Sequence, residues 1–309
     1  MLWAGIDEAG YGPNLGPLVM TAVVAEGPDD RPPDVWADLA ATVGRAGGRV
    51  DRLWVDDSKQ VFKGRKGRER LDAACLAAVN ASGLGMPSTF GALLGAVGAG
   101  SLDEVELSPW VDADPPIPPV AVPAVNPLAG APWRVVGVRA VVLGPSRFNA
   151  GLEATGSKAQ VHFGAFSRLL AHVWGLVAAD RPASVTSDKH GGRHFYTAGL
   201  TDVFPGARID RGPEGPDLSR YTIRNGPRRL ELSLRPRADA GDGLVALASL
   251  VSKALRERWM DAFNAHWSAR IPGLAPTAGY PVDAARFRRA IEADCTARGL
   301  DASAWWRLK

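Results

Sequence analysis

The stretch that most constrains this chain is its first eighteen residues, MLWAGIDEAGYGPNLGPL. An apolar run (Leu2, Trp3, Ala4, Ile6) ends in two adjacent acids, Asp7 and Glu8. A loop follows with glycine at 10, 12 and 16 and proline at 13 and 17, and a second apolar run, Leu18 to Ala25, begins at once. This pattern predicts a buried strand that delivers carboxylates to its end. The loop after it can approach a ligand closely, because glycine has no Cβ. Acids at the end of a buried strand are rare without a partner. The rest of the chain must supply one.

The 309 residues can bury a sizeable core. Hydrophobic content of 46% and charged content of 22% are those of an ordinary soluble protein. The longest convincing apolar run, Leu244 to Val251, is far short of the ~20 residues a membrane helix needs. Strand pattern begins immediately, with no basic or apolar leader, so a cytoplasmic protein without membrane contact is expected. Cys75 and Cys295 have no metal spacing and read as small buried hydrophobes. A net charge of +3 neither demands nor excludes an anionic partner.

Strands are expected at 2–7 and 18–25, a short helix over 34–46 and a strand near 50–56. DDSKQVFKGRKGRERL (56–71) leads into a helix with Leu71, Cys75, Leu76 and Val79 on one face. Residues 84–132, rich in glycine and proline, read as an insertion: packed on the surface, a lid or partner contact, or partly disordered. A strand at Trp133–Leu143, a turn at Gly144-Pro145-Ser146 and a helix over 158–178 follow. Ala183–Asp188 is a short strand ending on an acid. Strands near 206–210, 219–224 and 229–235, a helix from Gly243 to about Trp267 and another from Asp283 to about Arg298 complete the pattern. Strands followed by helices, with crossovers, indicate an α/β fold or mixed sheet.

Carboxylates stand at three structural boundaries: Asp7/Glu8, Asp188 and Asp239, the last just before the long helix. Four acids in one cleft repel one another unless cations sit between them. Mg²⁺ or Mn²⁺ suits such oxygen ligands, and two ions ~3.5–4 Å apart stabilise both oxygens of an in-line phosphoryl displacement.

GIDEAGYGPNLGPLV (5–19) resembles the opening motif of the type 2 ribonucleases H, the HII and HIII enzymes, G-[IT]-D-E-[AS]-G-x-G-x-x-x-G-P. Asp57-Ser58-Lys59 resembles that family's Asp-Ser-Lys motif. RADAGDGLVALASLVSKALRER (237–258) is similar, without a gap, to its last aspartate motif, and TAGYPVD (277–283) to its S-G-Y-P-S-D. The resemblance implies a ribonuclease H-like α/β fold, a mixed sheet flanked by helices, with a small helical C-terminal extension. The catalytic domain would span 1–258, with 84–132 inserted, and 259–309 would be a helical substrate-binding segment. Asp7, Glu8, Asp188 and Asp239 would be the catalytic and metal-binding carboxylates for two Mg²⁺ or Mn²⁺ ions. The implied reaction is endonucleolytic hydrolysis of RNA in RNA–DNA hybrids, or at ribonucleotides embedded in duplex DNA, by a monomer. Gly10, Tyr11 and Gly12 would read ribose 2′-hydroxyls through backbone groups, and Tyr280 would stack on deoxyribose at the junction.

Tyr11 departs from the family, which carries arginine or lysine there; phenol supplies no charge for a phosphate. SDKHGGRHFY (187–196) after the third acid is unusual, and 84–132 has no recognised counterpart. Lys59 is a candidate phosphate contact, and Lys189, His190, Arg193 and His194 beside Asp188 read as a phosphate clamp, a proton shuttle or surface charge. His162 reads as a packed or capping histidine. Arg286, Arg288, Arg289, Arg298 and Arg307 with Trp305 and Trp306 form a basic, aromatic segment suited to a nucleic-acid backbone, or the solvated face of a packed helix. The competing functional reading is a paralogue that binds nucleic acid without efficient hybrid cleavage. A nuclease acting on branched DNA ranks below both, because Tyr280 and the glycine loop point to RNA.

Overall fold

In the computed structural model the described residues are 1–98, 110, 114–119 and 126–308. They begin with strands β1 (Leu2–Ala9) and β2 (Leu18–Glu26), helix α1 (Val35–Asp38) and the short pair β3 (Val43–Gly44) and β4 (Leu53–Trp54). Helices α2 (Ser58–Val61), α3 (Gly67–Ala81) and α4 (Phe90–Val97) precede strand β5 (Arg134–Leu143). Next come α5 (Pro145–Thr155), α6 (Lys158–Leu176), β6 (Ala183–Asp188) and α7 (Thr197–Val203). Strands β7 (Arg208–Glu214), β8 (Ser219–Asn225) and β9 (Arg228–Arg235) lead to α8 (Gly243–Ser268) and α9 (Pro281–Ala297).

Seven strands make one mixed sheet in the order β5-β2-β1-β6-β9-β8-β7. The centre is parallel: β1 pairs with β6, and β6 with β9. The flanking pairs β1–β2, β2–β5, β9–β8 and β8–β7 are antiparallel. Strand alternation assigns each side chain to one of two apolar layers. Leu2, Ala4 and Ile6 join Phe166, Leu169, Leu170 and Val173 of α6 on one side of the sheet. Val19 and Val23 join α3 and α8 on the other. Gly5 faces this second layer, and a Cβ there would lie 2.2 Å from the backbone of Leu244 and Val245. The absent side chain lets α8 press directly on β1.

Several expectations change. The helix over 34–46 is only Val35–Asp38, because β-branched Val43 pairs in parallel with Leu53 instead; the strand near 50–56 shrinks to Leu53–Trp54. Gly144-Pro145-Ser146 opens a helix: Pro145 sits at its first turn, where the missing N–H costs nothing. The surface reading of 84–132 fails for its first part. Phe90, Leu93, Leu94 and Val97 form one buried face of α4 and join the α3–α8 core, with Trp110, Ile117 and Leu128. Residues 99–109, 111–113 and 120–125 of that segment lie outside the described residues. The boundary expected at 258 falls inside the continuous helix α8. No helix among the described residues is long and apolar enough to cross a membrane.

Candidate active site at the end of the central strands

Parallel pairing of Ile6 with Ser187 sets Asp7 beside Asp188 at the ends of β1 and β6. The chain leaving β9 turns through Arg237, in the left-handed region at φ 53°, and Ala238 N–H donates to Asp188 Oδ1 at 3.2 Å. Asp239 is therefore brought to the same edge. Alternation then separates the first pair of acids. Asp7 faces α8, where it accepts a hydrogen bond from the Ser249 side chain. Glu8 faces α6, with its carboxylate 3.4 Å from Nε2 of buried His162. Ser249 Oγ also lies 3.2 Å from Ser58 Oγ, whose O–H can donate to it, and this contact draws Asp57-Ser58-Lys59 to the site. Asp57 caps α2 by accepting from Lys59 N–H at 2.7 Å, and the Lys59 side chain is exposed.

The electrostatics show crowding. Burial, then repulsion from Glu8, pushes the Asp7 carboxyl well above its usual range, with a smaller contribution from Asp188. Asp188 is raised by burial and by Glu8, against N–H donation from Ala238 and Lys189. Asp239 is raised by burial, then by Asp57 and Asp188. Asp242 is also raised by burial, while it caps α8 by accepting from Leu244 and Val245 N–H at 3.0 and 3.2 Å. Among the described residues, no three His, Cys, Asp or Glu side chains already stand around one point as a metal ion would require. The donor chemistry nevertheless fits a divalent cation: hard carboxylate oxygens, mutually repelling and short of positive partners.

The glycine loop is fixed from beneath. Gly10 has φ +88°, and a Cβ there would lie 2.3 Å from Pro17 O and 2.7 Å from the Arg256 side chain. Asn14 and Leu15 N–H both donate to Gly279 O, at 2.9 and 3.2 Å, so the first motif meets the last. Buried Arg256 donates to Leu15 O and Ala278 O. Buried Arg307 donates to Gly10 O at 2.5 Å and Tyr11 O at 3.3 Å, with its guanidinium 3.8 Å from the Phe148 ring. Burial and the neighbouring Arg256 charge push Arg307 down to about 9. Tyr11 and Tyr280 remain 36% and 51% exposed on this surface, available to a ligand. The Tyr11 ring meets His162 edge-on at 5.0 Å, and Lys158 Nζ lies 4.6 Å from its centroid.

Sequence reasoning misplaced several groups. His162 is not merely packed; it bridges Glu8 and Tyr11. Lys189 is no phosphate clamp, because its ammonium donates to Gly215 O and Ser219 Oγ. His190 is partly buried among the rings of His162, Phe163, Phe166 and Tyr196, and this burial pushes its imidazole well below the usual histidine range. Arg193 is not among the misplaced groups; its guanidinium lies 4.8 Å from the Phe163 ring. The C-terminal arginines are mostly spent within the protein: Arg286 pairs with Asp283, Arg288 with Glu292 and Arg298 with Asp294, while Arg307 and Trp305 are buried. The roles of Ser249, Arg256 and Arg307 were missed. A charged residue after an apolar pair, as in Trp305-Trp306-Arg307, was the available signal for Arg307.

No family model and no curated protein matches the chain. Solved structures do. The RNase HII of Archaeoglobus fulgidus, solved in a complex with PCNA, is 16% identical over 100% of this chain and 96% of its own, with a TM-score of 0.47. A mutant of Bst-RNase HIII is 17% identical with a TM-score of 0.50, and Bst-RNase HIII in complex with Mn²⁺ is 16% identical with a TM-score of 0.49. Each HIII match covers 99% of this chain, which spans 65% and 66% of theirs. The fold is ribonuclease H-like α/β, a seven-stranded mixed sheet between helical layers. Within that class its fold is of the type 2 ribonuclease H kind.

Proposed function

We propose that this protein is a metal-dependent endoribonuclease that hydrolyses RNA in RNA–DNA hybrids or at ribonucleotides embedded in duplex DNA. The observation that carries the reading is the delivery of Asp7, Asp188 and Asp239 by three separate segments to one end of the central strands. Asp7, Glu8, Asp188 and Asp239 would hold two Mg²⁺ or Mn²⁺ ions, which when bound activate water and neutralise charge on the leaving oxygen. The chain's own residues do the rest. Tyr11 N–H and Gly12 N–H supply donors for a ribose hydroxyl, and Tyr280 supplies a ring for the adjoining deoxyribose. Lys59 and Arg193 would supply phosphate contacts, and residues 259–309 buttress the loop that meets the duplex. Purified protein with Mg²⁺ or Mn²⁺ should cut a ribonucleotide-containing duplex and spare an all-DNA duplex. No cutting, or equal cutting of both, rejects the proposal.

One observation favours a second reading. Glu8 is turned toward His162, away from the face that Asp7 shares with α8. A paralogue that holds a hybrid without turning it over would keep that pairing throughout. Hybrid binding with no metal-dependent cleavage supports this version, and robust turnover removes it.

A further inference from the structure

We propose that Arg307, two residues before the last of the sequence, is a positioning residue that aims the glycine loop's backbone donors outward. The inference rests on the reading of that loop as the ribose contact. Its starting point is peptide geometry: in a trans peptide the C=O and the following N–H point in opposite directions. Arg307 takes both the Gly10 and the Tyr11 carbonyls from beneath. The N–H groups of Tyr11 and Gly12, belonging to those same two peptides, must therefore face away from the protein body. Neither donates to another described group, and both residues are exposed. Two adjacent outward donors, held rigidly, suit an oxygen that accepts from both.

The tail that carries the guanidinium is pinned at several points, as a positioning device must be. Arg307 N–H donates to Asn14 O at 2.8 Å, Asn14 Nδ2 donates back to Arg307 O at 3.2 Å, and Leu15 bridges to Trp306. Asn149 pins the same tail by donating to Ser303 O and Trp306 O and accepting from Leu308 N–H. The tail thus forms an edge beside the loop. Only a planar fork reaches two consecutive carbonyls; an ammonium is a point donor.

The test measures affinity of wild type, R307K and R307M for three fluorescent duplexes: RNA–DNA hybrid, DNA with one ribonucleotide, and all-DNA. Ca²⁺ replaces Mg²⁺ so that binding is read apart from turnover, and thermal unfolding reports folding of each variant. R307M should lose about tenfold of the preference for ribonucleotide duplexes, the scale of one net hydrogen bond, with all-DNA affinity nearly constant. R307K should fall between. N149A, which loosens the tail without touching the loop carbonyls, should move the preference the same way by less, and it carries the test if R307M does not fold. A preference that persists in folded R307M, an equal loss for all three duplexes, or a wild type with no ribonucleotide preference overturns the proposal. A wild type that prefers ribonucleotides but cuts nothing with Mg²⁺ or Mn²⁺ refutes the hydrolase reading and leaves this one standing.

Discussion

A carboxylate pressed under the end of a sheet works against the fold that holds it. Asp7 is nearly fully buried beside Glu8, and its raised pKa means the native state resists ionising it. The unfolded chain releases this proton near the ordinary value of 3.8, before the folded one does. Without metal, stability should therefore fall as pH rises from about 4 through the elevated native value, then level off. Asp7→Asn removes Asp7's share of that slope, leaving the smaller shares of Asp188 and Asp239. In a chelator at neutral pH it should unfold roughly 1–3 kcal/mol harder than wild type, while cleavage drops at least about a hundredfold. Urea melts of both proteins across pH, with hybrid cleavage alongside, measure this opposition. A variant that is both inactive and less stable contradicts it.

At the scale of elements, α8 is the organiser, and much of its role could be read beforehand. Its apolar run and the Asp239 motif were visible, because helical burial writes a continuous hydrophobic signal into sequence. What was not visible is the closeness of its contact with β1, since glycine leaves no pattern when its purpose is the absence of a side chain. Gly5→Ala places a Cβ against helix backbone that cannot swing aside. It should cost about 3 kcal/mol or prevent folding, read as a lowered urea midpoint. α4 was missed for the opposite reason: its Phe90-Leu93-Leu94-Val97 spacing was legible but lay in a segment dominated by glycine and proline. Ion pairs between helices left no trace at all. Arg258 on α8 grips Asp72 on α3 through two hydrogen bonds of 3.0 and 2.7 Å, both residues buried. Arg258→Met leaves that carboxylate, among the described residues, with the Arg68 guanidinium 3.7 Å away, and should destabilise by about 3 kcal/mol. Asp72→Leu added to it should restore most of the loss, since an apolar pair fills the same space without a stranded charge.

For the whole molecule, the acids at the end of the central strands couple folding to metal. Asp7, Asp188 and Asp239 are each raised first by burial and then by neighbouring carboxylates, so the native state carries an electrostatic cost that the unfolded chain avoids. A divalent ion that binds only the folded arrangement reverses it. At a hundred times its dissociation constant such an ion adds about 2.7 kcal/mol, enough to raise the melting temperature of a chain this size by roughly 5 °C. Mn²⁺ and Mg²⁺ should produce that shift in wild type, saturably. Asp188→Asn should abolish most of it, because it removes the carboxylate that sits between the other two. The same replacement should leave the metal-free protein no less stable, since a neutral amide still accepts from Ala238 N–H. Differential scanning fluorimetry across a metal titration separates these outcomes. An equal shift in wild type and Asp188→Asn would mean that cations bind elsewhere, and no shift in either would leave the crowded acids without the ions their chemistry calls for.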